Sequence, residues 1–181
     1  MKFLPSPLKG SYIIKSEPVR DDRGWFARTY CANEFEHIGH GKAWVQMNHS
    51  YTTKKGTVRG MHYQLPPHKE IKLVRCVRGE VFDVIVDLRK DSETFLQWFG
   101  TNLSEQNMDM LYIPEGFAHG FQTLSDNCEL LYQHSEFYTP GAEAGIRYND
   151  PAINIKWPLE ITNMSERDLN HPLLSDNFKG I

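Results

Sequence analysis

The sequence predicts an all-β protein, a sandwich or a barrel, with a few short helices at its periphery. Many short segments show the alternating or continuous apolar pattern of strands, and glycine and proline separate them at roughly regular spacing. The 181 residues are enough to bury a core, and no repeat or linker interrupts them. We therefore expect one domain spanning residues 1–181.

The charge balance excludes two classes of partner. Lysine and arginine number 20 against 23 aspartates and glutamates, which gives a net charge of −3, and no long run of like charge occurs. Such a chain has no overall field that attracts nucleic acid or an acidic membrane, so we expect neither as a partner. An anionic ligand would have to be held by a local cluster of basic side chains.

The cysteines and the N-terminal segment predict a cytoplasmic protein. Cys31, Cys76 and Cys128 are odd in number and lack the CxxC spacing, which is typical of reduced thiols. The first ten residues, MKFLPSPLKG, contain two prolines and no continuous apolar segment. We therefore predict neither a signal peptide nor a membrane span there.

The first elements are short. Residues 11–15, SYIIK, are predicted as the first strand, at a sheet edge because prolines flank the segment. Residues 21–24, DDRG, are a turn signal, and residues 25–30, WFARTY, are predicted as the second strand. Residues 31–38 are predicted as a short helix that ends at the following glycines.

The next predicted strand, residues 43–50, has one polar face. Alternation along AWVQMNHS places Gln46 and Asn48 on the same side, opposite Met47 and His49. This polar side could meet a ligand.

The central stretch, residues 56–89, carries most of the functional argument. Residues 58–64, 71–77 and 80–88 have strand patterns, and Arg78-Gly79 predicts a hairpin between the second and the third. Lys72 lies on the same face as core-type residues, where an ammonium group needs an anionic or carbonyl partner. We expect Lys72 to converge with Arg59 and His62 on one pocket.

The C-terminal half continues the β pattern. Residues 95–104 and 128–138 are predicted strands, and Pro114, Gly116 and Gly120 indicate a tight approach of the chain around His119. Short helical pieces are predicted near residues 165–169.

His62 is the candidate general base. A free histidine has a pKa of about 6.5, so a neutral imidazole can accept a proton at neutral pH. A hydrogen-bonded structural histidine is an equally good interpretation at this stage. Strict alternation would place Arg59 and His62 on opposite faces, and a bulge at Gly60 would remove that conflict.

Other polar residues have two interpretations each. Asp168 lies in SERD, residues 165–168, which matches a helix-capping pattern as well as a catalytic one. Lys72 and His119 could donate to a developing oxyanion, and Tyr132 could donate a proton from the side opposite His62. The structural alternatives are an extended lysine, a buried loop histidine and a core tyrosine.

A metal site is the competing chemistry. His62, His68, Glu70 and His119 include ligand types that zinc or iron binds. Gln64, however, stands two residues after His62, where a second histidine would make the pair convincing, and glutamine is a weak ligand for these ions. We therefore predict a site without metal.

Several segments, in this order, resemble the dTDP-4-dehydrorhamnose 3,5-epimerase family of the cupin superfamily. The segments are DDRGWF at 21–26, QMNHS at 46–50, RGMHYQ at 59–64, GEVFDV at 79–84, PEGFAHGF at 114–121, and NDP at 149–151 followed by WP at 157–158. The resemblance implies a jelly-roll (double-stranded β-helix) barrel and a homodimer that exchanges N-terminal strands. It also implies the absence of metal and cofactor.

The resemblance also implies roles for individual residues. His62 is the base paired with Asp168, Tyr132 is the acid, and Lys72 and His119 surround the C4 oxygen of the sugar. The residues implied to hold the nucleotide or close the pocket are Arg23, Phe26, Gln46, Asn48, Arg59, Tyr138, Glu143 and Arg167. Arg28 occupies the position where the family pattern has a glutamate at the nucleotide end, which leaves a nucleotide other than thymidine open.

The implied activity is inversion of C3 and C5 in a nucleotide-diphospho-4-keto-6-deoxyhexose through an enolate. Two alternatives stay open. The first is a 3-epimerase, 5-epimerase or ketoisomerase acting on a related nucleotide sugar. The second is a cupin that binds a sugar nucleotide without turnover.

Overall fold

A computed structural model describes all 181 residues and shows thirteen strands and two short α-helices. The strands are β1 (Lys2–Pro5), β2 (Tyr12–Lys15), β3 (Val19–Asp21), β4 (Gly24–Phe26), β5 (Gln46–Thr52), β6 (Val58–Gln64), β7 (Lys72–Arg78), β8 (Glu80–Asp87), β9 (Trp98–Ser104), β10 (Met110–Ile113), β11 (Phe117–Thr123), β12 (Cys128–His134) and β13 (Glu143–Gly145). The helices are α1 (Ala32–Phe35), followed by a 3₁₀ turn (Glu36–Ile38), and α2 (Glu166–Leu169).

Two antiparallel sheets make up the jelly roll. One has six strands in the order β1-β2-β10-β7-β12-β5, and the other has five in the order β13-β6-β11-β8-β9. Strands β3 and β4 form a separate hairpin. The predicted all-β architecture is therefore confirmed.

The inward faces of both sheets carry an apolar core and a polar cavity. On β12, Cys128 and Leu130 are fully buried in the core, and Tyr132 and His134 follow on the same face. Because strand side chains alternate with a period of two, one inward face supplies both core and cavity. The core cluster consists of Leu8, Val74, Cys76, Val81, Ile85, Leu103, Leu111, Ile113, Phe117, Phe121, Cys128 and Leu130.

The predicted hairpin at Arg78-Gly79 is wrong. Strand β7 pairs with β10 and β12, whereas β8 pairs with β11 and β9 in the other sheet. Gly79, with a φ of 75°, therefore carries the chain from one sheet to the other. The turn signal and two adjacent apolar strands indicated a reversal of direction, but pairing depends on partners that are distant in sequence.

Two predictions near the N-terminus need correction. Strand β1 precedes the segment predicted as first, and β1 takes the edge, so that β2 lies between β1 and β10. The second predicted strand is shorter than expected, because β4 ends at Phe26. The turn at residues 21–24 is confirmed.

The short helices agree with the sequence. Residues 32–38 are helical, and Gly39 ends the segment in the left-handed conformation with a φ of 77°. Helix α2 begins after Ser165, whose side chain accepts a hydrogen bond from the backbone N–H of Asp168 at 3.1 Å. None of the helices has the length and apolar character that crossing a membrane requires.

The predicted bulge at Gly60 is confirmed. His62 pairs with His119 and Arg59 pairs with Phe121, so three steps along β6 match two along β11. Gly60 has a φ of 129°, and a Cβ atom there would lie 2.6 Å from the Cα atom of Gly120. The extra residue turns both Arg59 and His62 toward the cavity.

We predict that Gly60→Ala lowers the free energy of unfolding more than Gly24→Ala does. Gly24 has nearly the same φ, 131°, but nothing lies within 4 Å of a Cβ atom built there. The two variants share the backbone strain, and the difference between them, about 1–3 kcal/mol, reports the clash with the β11 backbone. Urea unfolding measures both, and equal losses would contradict this account of the bulge.

Candidate active site

A cavity of about 590 Å³ opens between the two sheets. Strands of both sheets and the segment before and within α2 supply its walls. The polar and charged side chains that line it are those of Asn48, His49, Ser50, Thr57, Arg59, His62, Lys72, His119, Tyr132, His134, Asn163, Ser165, Arg167 and Asp168. All five predicted catalytic residues are among them.

His62 and Asp168 form a hydrogen-bonded pair. The Nε2 atom of His62 lies 2.7 Å from Oδ1 of Asp168, and Oδ2 accepts the backbone N–H of Gly60 at 3.1 Å. Burial raises the pKa of Asp168, but the hydrogen bonds from His62 and Gly60 outweigh it and hold this pKa below the ordinary value. An ionised carboxylate only accepts hydrogen bonds, so Nε2 of His62 carries a hydrogen. In the neutral ring, Nδ1 is then the basic atom.

Asp168 belongs to a helix cap and to this pair at the same time. Its backbone N–H donates to Ser165, as the capping interpretation predicts, and its carboxylate reaches β6. The capping pattern therefore fixes the position of the carboxylate.

Tyr132 faces the cavity from the sheet opposite His62. Tyr132 lies on β12 of the six-stranded sheet and His62 on β6 of the five-stranded sheet. The hydroxyl of Tyr132 lies 3.0 Å from that of Ser50. Burial raises the pKa of Tyr132 well above its usual value, so the phenol keeps its proton at neutral pH.

Lys72 and His134 share one carboxylate. Glu70 lies 3.1 Å from Nζ of Lys72 and 2.7 Å from Nδ1 of His134. Burial raises the pKa of Glu70, but its contacts with His134 and Lys72 lower it below the ordinary value. Lys72 therefore has an anionic partner whose side chain is 10% exposed, and it still lines the cavity.

His119 is fixed in the same way by Asp83. The Nε2 atom of His119 lies 2.9 Å from Oδ1 of Asp83, and both residues are buried. His119 stands within strand β11, not in the loop suggested by the surrounding glycines. The ring nevertheless faces the cavity next to Tyr132, with ring centroids 6.2 Å apart.

An adjoining cavity of about 170 Å³ gathers other predicted binding residues. It shares Asn48, His62, Lys72, His134 and Arg167 with the first cavity and adds Gln46, Tyr138 and Glu143. The carboxylate of Glu143 lies 3.0 Å from the guanidinium of Arg167. The structure thus brings Gln46, Asn48, Arg59, Tyr138, Glu143 and Arg167 to the surroundings of His62.

Three predicted binding residues lie outside both cavities of this single chain. Arg23 pairs with Asp21 on the exposed β3–β4 hairpin, and Phe26, on the same hairpin, is 79% exposed. Arg28 pairs with Glu34 at 2.7 Å, and this pair lines a separate depression together with Phe26.

Predicted catalytic residues also have contacts that were not predicted from the sequence, with Ser50, Asp83, His134 and His171. Alternation along β8 and β12 could have identified Asp83 and His134, because Asp83 lies between inward-facing apolar residues and His134 follows Tyr132 by two. Ser50 likewise continues the polar face of Gln46 and Asn48. His171, 3.6 Å from Asp168, lies in an irregular tail for which the sequence has no periodic signal.

The four residues weighed for a metal site do not form a ligand cluster. The single group with three ligand atoms within 4.8 Å of one another is His62, Asp168 and His171. What the cavity combines is an imidazole held through Nε2 by Asp168, a protonated phenol on the opposite wall, the ammonium group of Lys72 and the ring of His119. This set suits the removal and return of a proton at a carbon atom next to a carbonyl group.

Comparisons with known proteins agree with this chemistry. The chain is 48% identical over 176 residues to the dTDP-4-dehydrorhamnose 3,5-epimerase of Salmonella typhimurium, covering 96% of each protein. The crystal structure of dTDP-4-dehydrorhamnose 3,5-epimerase from Elizabethkingia anophelis superimposes with a TM-score of 0.94 at 39% identity and 98% coverage of both chains. A Legionella pneumophila epimerase, crystallised with dTDP-4-keto-L-rhamnose, gives 0.90 at 38% identity, covering 95% of this chain and 92% of that one.

A family model described as dTDP-4-dehydrorhamnose 3,5-epimerase matches residues 5–176. The match spans both sheets, α2 and every predicted catalytic residue. The chain belongs to the dTDP-4-dehydrorhamnose 3,5-epimerase family.

Proposed function

We propose that this protein inverts C3 and C5 of a dTDP-linked 4-keto-6-deoxyhexose, converting dTDP-4-dehydro-6-deoxy-D-glucose to dTDP-4-dehydro-L-rhamnose. The observation that carries the proposal is the placement of the His62–Asp168 pair and Tyr132 on opposite walls of one cavity. Membership of the family supports the choice of substrate, as does the sugar nucleotide bound to the Legionella pneumophila relative.

The first step is proton removal beside the C4 carbonyl. Nδ1 of His62 takes the hydrogen from C3 or C5 as a proton, and the electron pair of that C–H bond moves onto the C4 oxygen. Asp168 stabilises the imidazolium that forms. Lys72 donates to the negative oxygen, and His119 donates to it through Nδ1 in the protonated form of its ring, because Asp83 holds the hydrogen on Nε2.

The second step is return of a proton to the opposite face. Tyr132 gives its hydrogen to the enolate carbon, the C4 carbonyl forms again, and the centre is inverted. Ser50 orients the phenol through the 3.0 Å contact. Repetition at the second carbon requires that the phenolate regain a proton and that His62 lose one, both through solvent.

The nucleotide is held at the cavity mouth by a different group of residues. Arg59 and Arg167 bring positive charge suited to a diphosphate, since a guanidinium donates to two oxygens at once. Gln46, Asn48 and Tyr138 supply amide groups and an aromatic ring in the adjoining cavity.

The exposed hairpin completes the site of a second copy. Val19, Trp25 and Phe26 are 73%, 50% and 79% exposed, and such clustered apolar exposure marks an interface. In a homodimer with exchanged N-terminal strands, Arg23 and Phe26 reach the nucleotide end of the partner's cavity. The three free cysteines fit a reducing compartment, the cytoplasm.

Turnover in heavy water tests the function directly. With dTDP-4-dehydro-6-deoxy-D-glucose, we expect deuterium to enter at both C3 and C5. The hydroxyl hydrogen of Tyr132 exchanges with solvent, so the acid that protonates the enolate carbon carries deuterium. NMR assigns the two positions. Exchange at one carbon alone would replace the proposal with a single-centre epimerase, and no exchange despite tight binding would leave a binding protein. Turnover of the cytidine- and guanosine-linked sugars tests whether the protein with Arg28 accepts a nucleotide other than thymidine.

Tyr132→Phe separates the two proton transfers. The base remains, so deuterium still enters the substrate from the His62 side, whereas formation of the inverted product falls roughly 10²–10⁴-fold. His62→Asn is the matched variant and should stop both exchange and inversion. If Tyr132→Phe stops exchange as completely as His62→Asn does, the assignment of acid and base is wrong.

Mixed dimers test the exchanged hairpin. We expect Arg23→Ala and His62→Ala to be impaired as separate homodimers and to recover about a quarter of wild-type activity when mixed, because half of the dimers are mixed and each contains one intact site. Differently tagged chains, coexpressed and assayed, measure the recovery. If the mixture has only the average of the two separate specific activities, Arg23 serves the cavity of its own chain.

A further inference from the structure

The two oxygens of Asp168 face different groups. Oδ2 accepts the backbone N–H of Gly60, whereas Oδ1 faces two imidazole rings, with Nε2 of His62 at 2.7 Å and Nε2 of His171 at 3.6 Å. These three ligand atoms lie within 4.8 Å of one another. Two imidazole nitrogens with one carboxylate oxygen are a ligand set that zinc binds in proteins.

His171 is held in this position by contacts of its own. Its ring packs on Gly145, where a Cβ atom would lie 2.3 Å from the ring, and its backbone carbonyl accepts a hydrogen bond from Arg147 at 2.8 Å. The Nε2 atom of His171 is buried and has no hydrogen-bond partner. A buried polar atom without a partner is unfavourable, and a bound cation would satisfy it.

We propose that Zn²⁺ binds between His62, Asp168 and His171 and inhibits the protein. A tetrahedral zinc ion with bonds of about 2.0–2.2 Å separates its ligand atoms by roughly 3.3 Å. The separations of 2.7 and 3.6 Å to Asp168 lie on either side of that value. The side chain of His62 is 35% exposed and lines the cavity, which gives the ion an entry path and a water as fourth ligand.

Zinc binding would disable the base through its tautomer. To coordinate zinc through Nε2, the neutral ring of His62 loses its Nε2 hydrogen to solvent and takes up a proton from solvent at Nδ1, so that it changes tautomer with no net release of protons. Nδ1 is the atom that accepts the proton from the sugar. The inhibition therefore rests on the proposed function, whereas the binding does not.

Nitrogen ligands favour zinc over magnesium.

Zinc titration of the metal-free wild-type protein tests the binding. We expect one site by calorimetry, with shifts of the imidazole ¹⁵N signals of His62 and His171. His171→Phe keeps a flat ring on Gly145 and should weaken zinc binding at least about tenfold. His37→Phe, which removes an exposed imidazole, should leave it unchanged.

Two results would overturn the site. One is equal zinc affinity in folded His171→Phe and wild type. The other is measured on the wild type alone, so that no folding defect can affect it. Either zinc does not bind, or the ¹⁵N shifts are confined to other histidines such as His119 and His134.

Heavy-water exchange with zinc present tests the inhibition. We expect exchange into the sugar to fall with occupancy of the site and to recover when a chelator is added. For His171→Phe, relative to its own zinc-free rate, the same loss should need at least about tenfold more zinc. Full exchange at full occupancy would overturn the inhibition and the base role of His62. If the protein acts on no sugar, the proposed function and the inhibition fail together. The zinc titration then decides alone whether the zinc site exists.

Discussion

Three histidines and the lysine inside the cavity each pair with a carboxylate whose side chain is at most 10% exposed. Asp168 faces His62, Asp83 faces His119, and Glu70 faces both Lys72 and His134. The three carboxylate side chains are 6%, 0% and 10% exposed, and a buried charge without a partner would be strongly destabilising. The same contacts fix the orientation of each imidazole, so that folding itself places the groups that the proposed mechanism requires.

Strand alternation explains how much of this arrangement the sequence could predict. Lys72 was recognisable as a pocket lysine because it shares a face with Val74 and Cys76, and all three are buried on β7. The bulge at Gly60 followed from the conflict between Arg59 and His62. Such inferences depend only on neighbours along one strand. The roles of individual residues came from the family resemblance, since alternation cannot distinguish a base from a structural histidine.

The errors have a common physical cause, which is pairing between distant segments. The sheet crossing at Gly79 and the edge position of β1 depend on β10, β11 and β12, which lie thirty or more residues farther along the chain. His171 lies only three residues after Asp168, but its position depends on packing against Gly145, which is distant in sequence. Neither a turn signal nor a local period contains information about these contacts. For the same reason the sequence did not indicate that Arg23, Phe26 and Arg28 lie away from the cavity of their own chain.

The two ends of the cavity are built under different constraints. At the inner end, the inward faces of strands β6, β7, β11 and β12 carry the groups to which we assign the proton transfers. A change there disturbs both a charge pair and the apolar core on the same face. At the outer end, exposed residues form simple ion pairs such as Arg167–Glu143, whose loss changes stability little. Arg28–Glu34, outside both cavities, is a pair of the same kind. A substitution at the outer end therefore disturbs the inner end little. Arg28, at the position where the resemblance led us to expect a glutamate, is farther away still: it lies outside both cavities and pairs with Glu34, so this difference leaves the groups around His62 undisturbed.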